Sequence, residues 1–260
     1  MRVNAVVLAG GKNGPEMAAA TGVTNRALTP LNGRTMLDRV ATALCACESV
    51  GNIFVVGDVP AAPHYERVTG GASLLDNLLA GVRAAQDGDA RLLVSTSDIP
   101  FLTSEAVQNF LQQAHSAAAG RADLCCSYVP LARCQERFPE MKRTAIKLRE
   151  GQFTLGNLML IDPRFLETHR DIISRAYDAR KSAVGVARLL GVGLLARLLL
   201  AQSVSPSLLT VPALEEGVSR LIGGGRVAAI RSEYPEIGTD VDKVGDVVVA
   251  RRMLGDGPPA

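Results

Sequence analysis

Val3-Asn4-Ala5-Val6-Val7-Leu8-Ala9-Gly10-Gly11-Lys12 is a short apolar run, rich in β-branched residues, stopped by two glycines. That is how a buried parallel strand ends in a tight loop. With no Cβ at Gly10 and Gly11, backbone N–H groups can approach an anion closely, and Lys12 adds a positive charge. A small, polar loop follows, then Asn25-Arg26-Ala27-Leu28-Thr29-Pro30-Leu31-Asn32-Gly33-Arg34, in which Arg26 stands far enough along to fold back over the same site. Two common phosphate loops are excluded: no G-x-G-x-x-G follows Leu8, and no G-x-x-x-x-G-K-[ST] is present.

Moving outward, Met36, Leu37, Val40, Ala43 and Leu44 form a helical stripe, and Asn52-Ile53-Phe54-Val55-Val56-Gly57 reads as a second buried strand. Strand, helix, strand in this order predicts a right-handed crossover and a parallel sheet. Gly70-Gly71-Ala72-Ser73 opens the next helix, with Ser73 and Asp76 at capping-box spacing and Leu74, Leu75, Leu78, Leu79 and Val82 on its buried face. Arg91 to Thr96 is an apolar strand that runs into Ser97-Asp98-Ile99-Pro100. Ligands of open α/β sheets sit at the carboxyl ends of strands, so Asp98 is placed there. A hard oxygen ligand beside bound phosphates suits Mg²⁺; the competing reading is a helix cap or turn.

The chain of 260 residues is long enough for one large α/β domain or two small ones, and its net charge of +2 comes from interspersed charges. No basic block points to nucleic acid. Five cysteines in apolar contexts, with no C-x-x-C spacing, read as reduced core thiols of a cytoplasmic protein. A core strand beginning at once at the N-terminus predicts no signal peptide.

Later segments are less patterned. Thr103 is a candidate cap for a helix whose face is Val107, Phe110, Leu111 and Ala114, and Ala122 to Val129 reads as a strand. A hairpin is expected from Thr144 to Arg149, turning at Glu150-Gly151 and returning from Phe153 to Ile161. Asp162-Pro163 should start a helix with the stripe Phe165, His169, Ile172, Ile173 and Ala176, ending in Arg180-Lys181. Those two cations either complement the helix dipole or reach an acceptor phosphate. Val186 to Ala201 is leucine-rich but interrupted by Arg188 and Arg197 and too short to span a membrane. A buried or lid helix is the favoured reading, an interfacial helix the alternative. Arg226 to Arg231 is a late strand, followed by Ile237-Gly238-Thr239-Asp240-Val241-Asp242-Lys243-Val244-Gly245-Asp246.

Taken together, Leu8-Ala9-Gly10-Gly11, Asn25-Arg26-Ala27-Leu28, Gly70 to Asn77, Ser97 to Pro100 and Gly238 to Asp246 resemble, in order, the motifs of the MobA-like nucleotidyltransferases: L-A-[AG]-G, P-K-x-L, G-x-S/T…N-L, D-x-P and D-[IV]-D-x-P-E-D-L. Three departures stand out. Arg26 replaces lysine, Val244 replaces proline, and Glu16-Met17 stands where Arg-Met is usual. The resemblance implies a mostly parallel open α/β sheet flanked by helices, a GT-A-like or Rossmann-like nucleotidyltransferase fold. It would form a single domain over 1–260 with an inserted acceptor-binding subdomain at 130–225. It implies nucleotide contacts from Leu8, Ala9, Gly10, Gly11, Gly70, Gly71, Ser73 and Asn77, and catalytic cations at Lys12 and Arg26. It implies Mg²⁺ on Asp98 with Asp242 or Asp240, although Asp242 or Asp246 could equally cap the last helix. Acceptor contacts would come from Thr154, Gly156, Asn157 and Lys181, the glycine being nearly as well read as a bulge. The implied reaction joins an NMP from an NTP to a phosphorylated small molecule with release of pyrophosphate. Glu16 should point away from the phosphates, paired with Arg26 or Lys12. Competing classes are a related glycosyltransferase, which would show D-x-D where Thr96-Ser97-Asp98 supplies one aspartate, a non-catalytic nucleotide-binding regulatory module, and a membrane-associated interaction protein.

Overall fold

The computed structural model describes residues 2–87, 90–117, 122–179 and 192–255. The chain begins with β1 (Val3–Leu8), α1 (Pro15–Thr21), a 3-10 turn (Arg26–Leu28), the short ribbon β2 (Pro30–Leu31) and β3 (Arg34–Thr35), and α2 (Met36–Cys45). It continues through β4 (Val50–Val56), β5 (Glu66–Val68), α3 (Leu74–Ala85), β6 (Leu92–Thr96), α4 (Ser104–Ala117), β7 (Leu124–Pro130) and α5 (Leu131–Arg137). The remainder is β8 (Ile146–Leu148), β9 (Gly151–Ile161), α6 (Pro163–Thr168), α7 (Arg170–Ala179), α8 (Val192–Ser203), α9 (Val211–Leu221), β10 (Val227–Arg231) and α10 (Val244–Leu254).

Eight strands form the main sheet in the order β10-β7-β9-β6-β1-β4-β5, with β8 paired to β9. β1 runs parallel to both β4 and β6, β4 to β5, and β7 to β10. β9 lies antiparallel between β6 and β7. The chain moves from β1 to one side through β4 and β5, then returns past β1 to β6. That reversal leaves a crevice at the carboxyl end of β1, the usual ligand position of such sheets.

Both faces of the sheet are covered. One buries Val7, Val55, Leu93, Leu158 and Leu160 against α2 and α4, and the other buries Val6, Val56, Val94 and Ile161 against α3 and α6. Capping residues set the helix starts. The Thr35 and Ser73 hydroxyls accept from the third-residue N–H groups of α2 and α3, with Asp38 and Asp76 reciprocating. Thr103 accepts from Ala106 N–H at 3.2 Å, and Asp162 caps α6 with Pro163 at its first position. The helix expected to run on from Asp162 breaks at His169, whose ring stacks on Phe165 and bonds the Phe165 carbonyl at 3.0 Å.

A smaller cluster of Leu148, Phe153, Leu194, Ala201 and Leu209 lies under α8. Gln202 at the end of α8 brackets Lys147, accepting from its N–H at 2.9 Å and donating to its carbonyl at 3.1 Å, which occupies the free edge of β8. Leu199 and Leu200 face outward. The leucine-rich reading of 186–201 is described only from Val192 onward, and among the described residues no helix is long and apolar enough to cross a membrane.

Helix α3 comes down closely onto β1 and β4 at Gly81. A Cβ there would lie 2.4 Å from Val6 and 2.7 Å from Val56. Gly81→Val therefore overpacks the sheet and should lower stability by about 2–3 kcal/mol. Urea unfolding monitored by circular dichroism measures this, and an unchanged midpoint would show that α3 has room to move off the sheet.

Candidate active site

The loop after β1 is held open by a strut of one side chain. Asn77, buried in the first turns of α3, accepts from Gly71 N–H at 2.7 Å. A Cβ on Gly10 would come within 2.4 Å of its amide nitrogen, and one on Gly70 within 2.6 Å of its amide oxygen. Gly57, at φ 149°, passes so close to the Ala9 carbonyl that a Cβ would lie 2.6 Å from that oxygen. Glycines are needed here because three backbone segments meet, Gly10 and Gly70 closing on the Asn77 amide and Gly57 on the Ala9 carbonyl. They enclose a 520 Å³ pocket lined by Gly10, Gly57, Asp58, Arg67, Thr69 and Asn77. Of the residues expected to touch nucleotide, Gly10, Gly70, Gly71 and Asn77 meet at this pocket. Ala9 and Leu8 are both buried in the core. Ser73 bonds Asp76 as a helix cap.

Arg26 is placed by its own loop. Its N–H donates to Gly11 O at 2.9 Å, and Asn25 caps the turn through Ala27 N–H while donating to Asp58 O at 2.8 Å. Lys12 is exposed and bridged to Asn25. The guanidinium of Arg26 pairs with Asp242 and reaches Asp98 Oδ2 at 3.4 Å. Glu16 takes no part in this. It is exposed in the first turn of α1, where a carboxylate complements the helix dipole.

Asp98 follows β6, and Val241 N–H donates to its carbonyl at 2.8 Å, tying the C-terminal loop to the strand end. Asp98, Asp240 and Asp242 each present a carboxylate oxygen within 4.8 Å of the others. Asp98 Oδ1 is buried with no hydrogen-bond partner. Burial first, then the Asp242 carboxylate, push the Asp240 carboxyl up to about 7, against the pull of Arg143. An all-oxygen, partly buried, under-compensated acidic cluster fits a hard divalent cation, and Mg²⁺ bound there would neutralise phosphate charge. Asp246 separates from the cluster: it accepts from Asp242 and Lys243 N–H, each at 3.2 Å, and so caps α10.

Arg143 escapes sequence reasoning. Its side chain is 7% exposed, pairs with Asp240, reaches Asp246 at 3.6 Å and donates to Asp240 O at 2.8 Å. It sits in a stretch without periodicity, and its partners are distant in sequence, so no local signal marks it. On the acceptor side, Thr154, Gly156 and Asn157 lie on β9. Asn157 donates to Ile237 O at 3.0 Å, and a Cβ on Gly156 would strike Ser127 Oγ at 2.1 Å, beside the register shift in β7. They thus buttress the turn that leads to Asp240. Lys181 lies outside the described residues.

The family model of the MobA-like NTP transferase domain matches residues 5–156. A hypothetical transferase from Thermus thermophilus is 36% identical, with TM-score 0.79, the match covering 95% of this chain and all of that one. Two cytidylyl enzymes share the fold at low identity. 2-C-methyl-D-erythritol 4-phosphate cytidylyltransferase, also from Thermus thermophilus, is 17% identical, TM-score 0.54, over 97% of this chain and 98% of its own. CMP:2-keto-3-deoxy-manno-octonic acid synthetase, solved with CTP, is 11% identical, TM-score 0.58, over 98% of both chains. No curated protein sequence matches the chain.

Removing Arg143 leaves Asp240 and Asp246 facing each other with a buried cation gone. Arg143→Ala should cost about 3 kcal/mol in chemical denaturation. A loss below about 1 kcal/mol would show that the loop does not depend on this pair.

Proposed function

Because the chain belongs to the MobA-like NTP transferase domain family, and is a nucleotidyltransferase, we propose that it joins an NMP from an NTP to a phosphorylated small-molecule acceptor, with Mg²⁺, releasing pyrophosphate. The observation that carries this reading is the meeting of Asp98, Asp240 and Asp242 beside Arg26 and the glycine cradle of β1.

In this reading the NTP base sits in the pocket around Asn77, and the triphosphate lies over Gly10 to Lys12. Asp98, with Asp242 or Asp240, holds Mg²⁺, which when bound neutralises charge on the phosphates. Arg26, once clear of its carboxylate partners, and Lys12 would balance charge on the leaving pyrophosphate. The acceptor phosphate, with a second pKa of about 6, is already largely ionised at neutral pH and needs no general base. The remaining work is alignment. Thr154, Gly156, Asn157 and Lys181 are the acceptor-side residues of this proposal. Five free cysteines support a reducing, cytoplasmic setting. A glycosyltransferase reading is less well supported, since the end of β6 supplies Asp98 alone and the Asp240-Val241-Asp242 pair comes instead from the C-terminal loop.

A thermal-shift panel of the four NTPs with Mg²⁺ tests binding: one nucleotide at 100 times its Kd should stabilise by about 2.7 kcal/mol. Asp98→Asn should leave the melting temperature unchanged or raise it, by relieving carboxylate repulsion, while abolishing Mg²⁺-dependent pyrophosphate release. Wild-type release by this variant would remove the metal role of Asp98. Arg26→Ala should lower kcat about a hundredfold with little change in KM; a raised KM at unchanged kcat would reduce Arg26 to ground-state binding.

A further inference from the structure

A second cavity, of about 440 Å³, lies outside α2, against the start of α4 and the ends of α5 and α10. It shares no lining residue with the Asn77 pocket and contains none of Asp98, Asp240 and Asp242. Three arginines line it: Arg34, Arg39 and Arg137. Among the described residues, no carboxylate comes within 4.0 Å of a guanidinium nitrogen of any of the three. Their neighbours behave differently. Arg133 of α5 and Arg252 of α10 each pair with a glutamate.

The bonds that Arg34 and Arg39 do make go to neutral oxygens. Arg39 Nη2 donates to Leu31 O at 2.8 Å, while its Nε is enclosed with no hydrogen-bond partner. Arg34 Nη2 donates to Asp38 O at 3.1 Å and to the Thr42 hydroxyl. Neutral oxygens satisfy donors without cancelling charge. Burial first, then the like charge of Arg34, lower the Arg39 pKa against the pull of Asp38, yet a guanidinium does not give up its proton. Two carboxylates also line the cavity, both held on its α4 side. Glu236 accepts from the Thr103 hydroxyl at 2.8 Å, and Glu105 from the Ser104 hydroxyl at 3.1 Å. The side formed by Arg34 and Arg39 is left with positive charge that the fold does not compensate.

We propose that this cavity is a second anion site, in which Arg34 and Arg39 together hold the phosphate group of a small molecule and Arg137 stands at the rim. The inference is independent of nucleotidyl transfer. Planar guanidinium forks match phosphate oxygens, and one anion between two like charges relieves both. A phosphate fills only part of the volume, which falls in the range of small-molecule sites, about 300–1,000 Å³. The rest of the wall includes Phe101, Leu102 and Leu254, which suit the organic part of a phosphate ester.

Titration calorimetry of the whole chain with inorganic phosphate and with phenyl phosphate, in sodium chloride at constant ionic strength, tests this. Both should bind saturably. Arg39→Gln and Arg34→Gln, which remove the charge and keep a hydrogen-bonding side chain, should each raise both Kd values at least about tenfold. Tighter binding of phenyl phosphate identifies an ester as the ligand class, and equal affinity identifies free phosphate. Absence of saturable binding overturns the proposal. So do wild-type Kd values in both variants, which would place the anion elsewhere, on the glycine loop for instance, and leave Arg39 as a prop for Leu31. Arg34 is exposed, so should Arg39→Gln not fold, Arg34→Gln decides alone. Failure of every NTP to bind would sink nucleotidyl transfer without altering these Kd values, so the two failures are distinguishable.

Discussion

Three carboxylates brought within 4.8 Å of each other repel, and much of the local structure exists to hold them there. The hydrogen bond from Val241 N–H to the Asp98 carbonyl clamps the two loops. Arg143 lies under Asp240, Arg26 lies across Asp98 and Asp242, and Asp246 turns its charge onto the start of α10. Even so, burial and the neighbouring Asp242 carboxylate hold the Asp240 carboxyl well above the usual carboxylate range. Compensation is left incomplete by the geometry: the cluster is stable enough to form and still short of positive charge.

Arg26 joins this cluster to the glycine loop after β1. Its loop is pinned to Gly11, while its guanidinium rests on acids that come from β6 and from the C-terminal loop. A guanidinium held on these carboxylates is not free for any other anion, so in the proposed reaction substrate would enter by exchange of partners rather than by filling a neutral pocket. Glu16, the residue that departs from the usual arginine, stands aside at the start of α1.

What could be read from the sequence was local. Two glycines after a β-branched run, a carboxylate before Ile99-Pro100, and Ser or Thr three residues before Asp each act within a few residues. The structure carries all of them into place. What could not be read depended on tertiary partners. The antiparallel insertion of β9 between β6 and β7 has no signature in the strand itself. Arg143 looks like any surface arginine until Asp240 closes over it. The choice between Asp242 and Asp246 as cap was undecidable from spacing alone, because either could reach the first turn. The position of Arg26 across the loop separates them. The helix break at His169 likewise falls at a residue that is not a helix breaker, where φ reaches −105°.

The insertion of β9 also bears on how the chain matures. A ribosome delivers Gly10, Asn77 and Asp98 long before Asp240, and about 5–20 residues emerge each second. The growing chain can form β1, β4 and β6 early, but β7 has no place in the sheet until β9 is made, and the acidic cluster stays incomplete until the C-terminal loop docks on Asp98. The chain therefore holds its glycine loop for seconds of its synthesis before it can gather its carboxylates. The electrostatic tension of the finished centre is postponed until a folded sheet is there to bear it.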